Sequence, residues 1–131
     1  MAETPADHDH FAPLRGAEFL VLTTYRRTGE AVPTTLWFAE DGGVLYLTTA
    51  AQAGKVKRLR NTPAVQVAPS DRVGNLQGQA LPAQARVLEP EEFALAIAAL
   101  QQKYGEQFTT LTAQMDAARA AGSRIYVVVT P

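Results

Sequence analysis

The stretch "AEFLVLTTYRRTGEAVPTTLWFAEDGGVLYLTTA", Ala17 to Ala50, holds three apolar runs separated by two polar breaks that carry glycine. The runs 17–25, 32–39 and 44–50 predict strands, because Val, Thr, Tyr, Phe and Trp suit a pleated, half-buried surface. "RRTGE" (26–30) and "EDGG" (40–43) predict the turns that join them. Turn signals spaced about ten residues apart point to a sandwich or barrel. Pro33 cannot donate to a ladder, so it belongs at an edge, a strand start or a bulge.

Downstream, "AGKVKRLRN" interrupts the β pattern. It is too short to be stable alone, but Val56 and Leu59 share a face at i, i+3 and can dock it on the strands. Pro63 ends it and "PAVQVAP" (63–69) predicts a fourth strand. "SDRVGN" (70–75) reads as a loop, and 76–88 as a long fifth strand with an irregularity at Gly78 or Pro82. Pro90 opens a helix over 90–104, with Glu91 and Glu92 in the first turn where the dipole favours acids. Phe93, Ile97, Leu100 and Tyr104 form its apolar stripe, and Gly105 stops it. A second amphipathic segment is expected over 106–121, with Leu111, Met115 and Ala118 on one side. "SRIYVVVTP" (123–131) supplies a sixth strand. Residues 1–9 read as a mobile polar tail, followed by a helical turn around His10 to Arg15. The pattern predicts one α+β, mainly β domain over 1–131, built on a six-stranded antiparallel barrel with flanking helices.

A chain of 131 residues can bury a core without metals or disulfides. It has no cysteine, which removes thiolate zinc sites and cysteine nucleophiles. "MAETPADHDHFAPL" lacks the basic and apolar regions of a signal peptide, and no apolar run approaches the ~20 residues of a membrane span. A cytoplasmic location is the expectation. The net charge of −1 is not the footprint of a nucleic-acid binder.

The catalytic inventory is thin. The only histidines, His8 and His10, stand in "DHDH" and read as part of a solvated tail rather than a metal site. Ser70 and Ser123 lack a nucleophile-elbow context. Glu30, Glu40, Asp41, Asp71, Glu89, Glu91 and Glu92 sit at turns and helix starts, where capping explains them. No catalytic residue and no metal ligand is assigned. An enzyme built from these residues would rely on a cofactor for its chemistry.

One segment stands out electrostatically. Lys55, Lys57, Arg58 and Arg60 gather in six residues, with no acid anywhere from Gly42 to Ser70. Three readings are open: a solvated helix face, a nucleic-acid patch, or a phosphate site for a small cofactor. For the last, Gly54 and Lys55 in a first helical turn offer backbone N–H groups, the positive dipole end and an ammonium. Thr48 and Thr49, at the end of the preceding strand, add hydroxyls.

Together, "LTTYRRTGEAVPTTLWFAEDGGVLYLTTAAQAGKVKRLRNTPAVQVAPSDRVG" and the later "ARVLEPEEFALAIAALQQKYG" resemble the pyridoxamine 5'-phosphate oxidase-like, FMN-binding split-barrel superfamily. More narrowly, they resemble its bacterial branch of coenzyme F420-dependent oxidoreductases. The resemblance covers about residues 17 to 130; its most specific parts are "TYRRTGEAVPTTLWF", "GKVKRLRNTP" and "KYG". It implies a Greek-key split barrel that dimerises, with a flavin or deazaflavin in each interface groove. It further implies that Lys55 and Lys57 hold the cofactor phosphate, that Thr34, Thr35, Leu36 and Trp37 line the ring, and that Thr48 and Thr49 lie beside the phosphate. Two departures are visible: Ala53 stands where relatives often carry Ser before "GK", and Ala83–Gln84 replaces a glycine common before "ARVL".

The expected function is that of a homodimeric oxidoreductase moving hydride between coenzyme F420 and a small unsaturated substrate. The alternatives are an FMN-dependent reductase or oxidase, and a carrier that binds flavin, deazaflavin or haem without turnover. The expected partners are a second copy and a small molecule, with no nucleic acid and no membrane. The second copy is expected because Val44, Leu45, Tyr46 and Leu47 are apolar on both strand faces and need cover. Trp37 alone also suits core or interface, and Tyr104 reads as a packing residue at the helix end.

Overall fold

Alternation along β1 (Phe19–Tyr25) buries Leu20, Leu22 and Thr24 and leaves Val21 and Thr23 half-exposed on the other face. The computed structural model describes residues 10–50, 54–110 and 124–131. In it β1 is joined by β2 (Ala31–Asp41), β3 (Val44–Ala50), β4 (Ala64–Ser70), β5 (Leu81–Val87) and β6 (Arg124–Thr130) in a closed antiparallel barrel of order β1-β2-β3-β6-β5-β4. The expected barrel and its six strands are observed. Leu20, Leu22, Phe38, Leu45, Leu47, Val67, Val127 and Val129 fill its interior. Phe11 and Leu14, from a single-turn helix at Ala12–Leu14, join the same core.

Two strands change neighbours along their length. β2 pairs with β1 over Ala31–Trp37 and with β3 only over Phe38–Asp41. β5 pairs with β4 over Leu81–Gln84 and with β6 over Gln84–Val87. Each half therefore has a single strand neighbour, and one half of each strand contains a proline, Pro33 or Pro82. A residue that lacks an N–H is tolerated where no second ladder needs one.

The helix after β3, α1 (Gly54–Asn61), docks through buried Val56 and Leu59, as the i, i+3 spacing predicted. The later helix, α2 (Phe93–Tyr104), follows a single turn at Pro90–Glu92 and packs on the outside of the barrel. There Ala96, Ala99, Leu100 and Tyr104 meet Ala39, Tyr126 and Val128 in a second core. This explains the unbroken apolar run of β6: Val127 and Val129 point into the barrel while Tyr126 and Val128 point at α2. Residues 106–110 resume a helix after Gly105; the rest of the amphipathic segment expected to 121 lies outside the described residues, as does the tail 1–9.

The fifth strand is shorter than expected. It begins at Leu81, and Leu76 makes only an isolated bridge to Ser70. The Asp71 carboxylate accepts from the Val73 and Asn75 amides and from Asn75 Nδ2, folding the chain back at once. The Gln77 amide then donates to the Pro69 carbonyl, and Gly78 lies so close that a Cβ there would meet Pro69 Cγ at 2.9 Å. Residues 71–80 are thus a loop laid beside the end of β4. Among the described residues, no helix is long and apolar enough to cross a membrane.

Candidate functional site

The half of β2 that pairs with β1 borders a groove. A cavity of about 430 Å³ is lined by Val21 and Thr23 of β1, Pro33, Thr34 and Thr35 of β2, Gln66 of β4, and Val73, Gly74 and Leu76 of the loop. Among the described residues, none that lines it is charged. Its polar groups are hydroxyls and one amide, which suits an uncharged ring with hydrogen-bonding edges. The loop meets β2 closely: Gly74 has φ +90°, and a Cβ there would meet Thr35 Oγ1 at 2.9 Å. Asp71, which holds this loop, has its carboxyl pKa lowered by the Asn75 backbone amide first and the Asn75 side chain second.

Of the four residues expected to line a ring, the structure brings Thr34 and Thr35 into this groove. Leu36 packs against the barrel core, and Trp37 stacks on Tyr104 with ring centres 4.3 Å apart and planes 10° from parallel. Of the expected phosphate-side residues, Thr48 donates its hydroxyl proton to the Ile125 carbonyl at 3.1 Å. Thr49 is buried and engaged. The Thr48 hydroxyl is thus taken up by β6, the strand beside which β3 runs here.

Lys55 falls in the first turn of α1, which contains no acid, and Lys57 is exposed in the second turn. Ala53 and the side chain of Lys55 lie outside the described residues. The cations of α1 do not form one strip. Arg58 turns inward and its Nε donates to the Thr24 hydroxyl at 2.7 Å, while Arg60 borders a separate cavity of 530 Å³ with Arg86, Phe93 and Ile125. Arg58 is a structural tie from α1 to β1.

Tyr104 does more than pack. The last β1–β2 pair is Phe19 with Trp37, so the next rung would join Glu18 to Phe38. The Tyr104 hydroxyl occupies that rung. It accepts from the Phe38 amide at 3.0 Å, and its proton serves the carbonyls of Glu18, at 2.6 Å, and Phe38, at 2.8 Å. Burial raises its phenol pKa well above the ordinary value. The hydroxyl thereby closes the β1–β2 ladder at the residue where β2 changes neighbours. Nothing local in the sequence signals this bond, which spans 66 positions. His10 is likewise no solvated residue: its Nε2 lies 2.7 Å from the Pro82 carbonyl and its ring meets Phe11 edge-on. His8 lies outside the described residues. Among the described residues, no group of three or more His, Cys, Asp or Glu could hold a metal ion.

Solved structures share this architecture. The haem storage protein HutZ from Vibrio cholerae matches with a TM-score of 0.68 and 15% identity, over 100% of this chain and 91% of that one. An F420 reductase matches with a TM-score of 0.58 and 21% identity, over 92% and 91%. An F420-H2 dependent reductase, FDR-A, matches with a TM-score of 0.59 and 18% identity, over 85% and 93%. At these identities the likeness is one of fold. No curated protein matches the chain. The family described as pyridoxamine 5'-phosphate oxidase matches residues 6–131, nearly the whole length, and agrees with a barrel whose second strand divides between two neighbours: the chain belongs to the pyridoxamine 5'-phosphate oxidase family.

Proposed function

We propose that this protein binds a deazaflavin such as coenzyme F420, or FMN, and works as an oxidoreductase on a small organic substrate. The observation that carries the reading is the 430 Å³ groove against Thr34 and Thr35, uncharged among the described residues, on the half of β2 that pairs with β1. When bound, such a cofactor supplies hydride transfer. The chain's part is to hold and orient it. Thr34 and Thr35 border the ring, the Gly54–Lys55 start of α1 and the Lys57 ammonium neutralise the phosphate, and the 71–80 loop keeps water from one side. The family and the F420 reductases of like fold support this reading.

The active form is a homodimer in this proposal. On β3, Val44 and Tyr46 are packed under α2, whereas Val73 and Leu76 at the groove rim are 77% and 61% exposed. A second copy covering the rim would bury them. A sedimentation mass of one chain at micromolar concentration would remove this part of the proposal.

A second reading, a carrier without turnover, is favoured by the absence of any titratable side chain among the described groove-lining residues. Absorbance titration of the purified protein with a deazaflavin, FMN and haemin separates the readings. Saturable binding of a deazaflavin or FMN, followed by turnover of the reduced form with an acceptor, supports the enzyme. Saturable binding of haemin alone supports the carrier, and binding of none overturns both.

A further inference from the structure

Two buried side chains, Val56 and Leu59, set how deep α1 sits on the barrel. Three positions along an α-helix turn it by about 300°, so the two lie near one line along its face. A helix resting on one line can still roll about it. Arg58 lies about 100° round the helix from Leu59 and supplies a contact off that line. It crosses to β1, where its Nε donates to the Thr24 hydroxyl at 2.7 Å. This bond is short and charge-assisted, and it fixes the roll.

Thr24 joins the tie to the groove. It is 1% exposed, and its hydroxyl accepts from Arg58 while directing its own proton toward the Val32 carbonyl at 3.5 Å. Thr24 and Val32 face each other in the β1–β2 ladder. On the next rung Thr23 faces Pro33, and both of these line the 430 Å³ groove. Arg58 thus ends one rung from the groove wall. The guanidinium has no counter-charge close by: no acid stands from Gly42 to Ser70, and among the described residues no ion pair holds it. An apolar side chain would anchor the helix without the cost of desolvating a cation. What the guanidinium–hydroxyl bond adds is a fixed distance and direction.

We propose that Arg58 is a positioning residue of the cofactor site. Through Thr24 it sets the roll of α1, and with it the place of the Gly54–Lys55 helix start and the Lys57 ammonium relative to the groove. The proposal rests on the binding of a flavin or deazaflavin between these two elements. It makes the Arg58–Thr24 bond a determinant of specificity for the phosphate-bearing form of the cofactor. A phosphate joined to a ring by a chain of fixed length gains from the helix only where the distance between the two sites is held.

The test compares FMN with riboflavin, and coenzyme F420 with its phosphate-free deazaflavin core. Titration of the wild-type protein, Arg58→Gln and Thr24→Val with each pair gives the share of binding due to the phosphate as a ratio of affinities. Arg58→Gln removes the donor, while Thr24→Val removes the acceptor and keeps the arginine charge. Each should lower the ratio by about threefold to tenfold, the range for one hydrogen bond, and leave the phosphate-free form within about twofold. The double variant should lose no more than the larger single loss, because both changes remove the same bond. A tie that only holds the fold would lower the melting temperature of the cofactor-free protein and leave the ratio unchanged in both variants, which overturns the proposal. A loss in Arg58→Gln alone also overturns it, since the arginine would then act as a charge beside the phosphate and not through Thr24. Failure of the wild-type protein to bind any of these compounds is a separate result: it removes the cofactor reading itself, and this role for Arg58 with it.

Discussion

Where β2, β3 and β6 meet α2, Ala39, Tyr126 and Val128 disappear against Ala96, Leu100 and Tyr104, and the polar hydroxyl of Tyr104 is fully bonded. Where β1, β2 and β4 turn outward, Val21, Thr23, Thr35 and Gln66 meet only a glycine-bearing loop across an open groove. One strand, β2, serves both faces and changes role at Trp37–Phe38. Under the proposed function, this barrel separates packing from cofactor binding along a single strand. The half paired with β3 and covered by a helix is where removal of atoms should cost folding; the half paired with β1 is where, under the proposed function, it should cost ligand.

The largest test of that contrast is Tyr104→Ala. It opens a cavity in the dry face and leaves the Glu18 and Phe38 backbone groups without their partner, so the expected loss is about 3–5 kcal/mol of folding stability. Urea denaturation followed by emission of Trp37, the only tryptophan, reads both the stability and the lost ring stack. A loss under about 1 kcal/mol would break the contrast from the stable side.

Lys55→Ala tests the other side. It should weaken cofactor binding by about 1.5–3 kcal/mol, the range for hydrogen bonds to a charged group, with an unchanged melting temperature in the absence of cofactor. Calorimetry showing equal affinity for the two proteins would mean that the start of α1 holds no phosphate.

Gly74→Ala sharpens the boundary. The residue lies at φ +90° and a Cβ would press on the Thr35 hydroxyl, so a loss of about 1–2 kcal/mol is expected together with a displaced groove wall. Chemical denaturation at two cofactor concentrations separates the two effects. Thr35→Val is milder: stability should stay within about 0.5 kcal/mol, and cofactor affinity should fall by about 0.5–1.5 kcal/mol if the hydroxyl meets the ring. Equal affinity in wild type and variant would exclude that contact.

The smallest effect is a pH dependence at Lys103. Its folded-state pKa, about 8, lies below the ordinary 10.5. Between these values the unfolded chain binds more protons, so this group adds stability as the pH rises from about 8 to about 10.5. Below that window the cost of the buried ammonium is fully present. Lys103→Met should remove this rise, which melting temperatures of the two proteins at the ends of the window can show. Parallel curves would place the amine in water.

Much of this was legible in the chain itself. The hairpins β1–β2–β3 follow from runs and turns that are adjacent in sequence, and α1 docks by the Val56–Leu59 spacing for the same local reason. The family resemblance rests on those segments in order, and residues 6–131 match the family. Thr34 and Thr35 were readable as groove residues because they sit in the segment that carries the resemblance. Trp37 suits core as well as groove from sequence, and its stacking partner Tyr104 lies on another element that no local pattern names; a charge run likewise does not say which member turns inward, as Arg58 does.

The sequence by itself determined the number and order of strands, the positions of the turns and the helix that interrupts them, since each depends on side chains within a few residues of one another. Only the tertiary structure decided where β2 exchanges β1 for β3, that a tyrosine hydroxyl from α2 fills the vacated rung, and that residues 71–80 wall a groove instead of extending β5. The tyrosine bonds join groups brought together across 66 or 86 positions. Backbone donors and acceptors must be satisfied by whatever the closed barrel places beside them, and no local pattern of residue types encodes which group that will be.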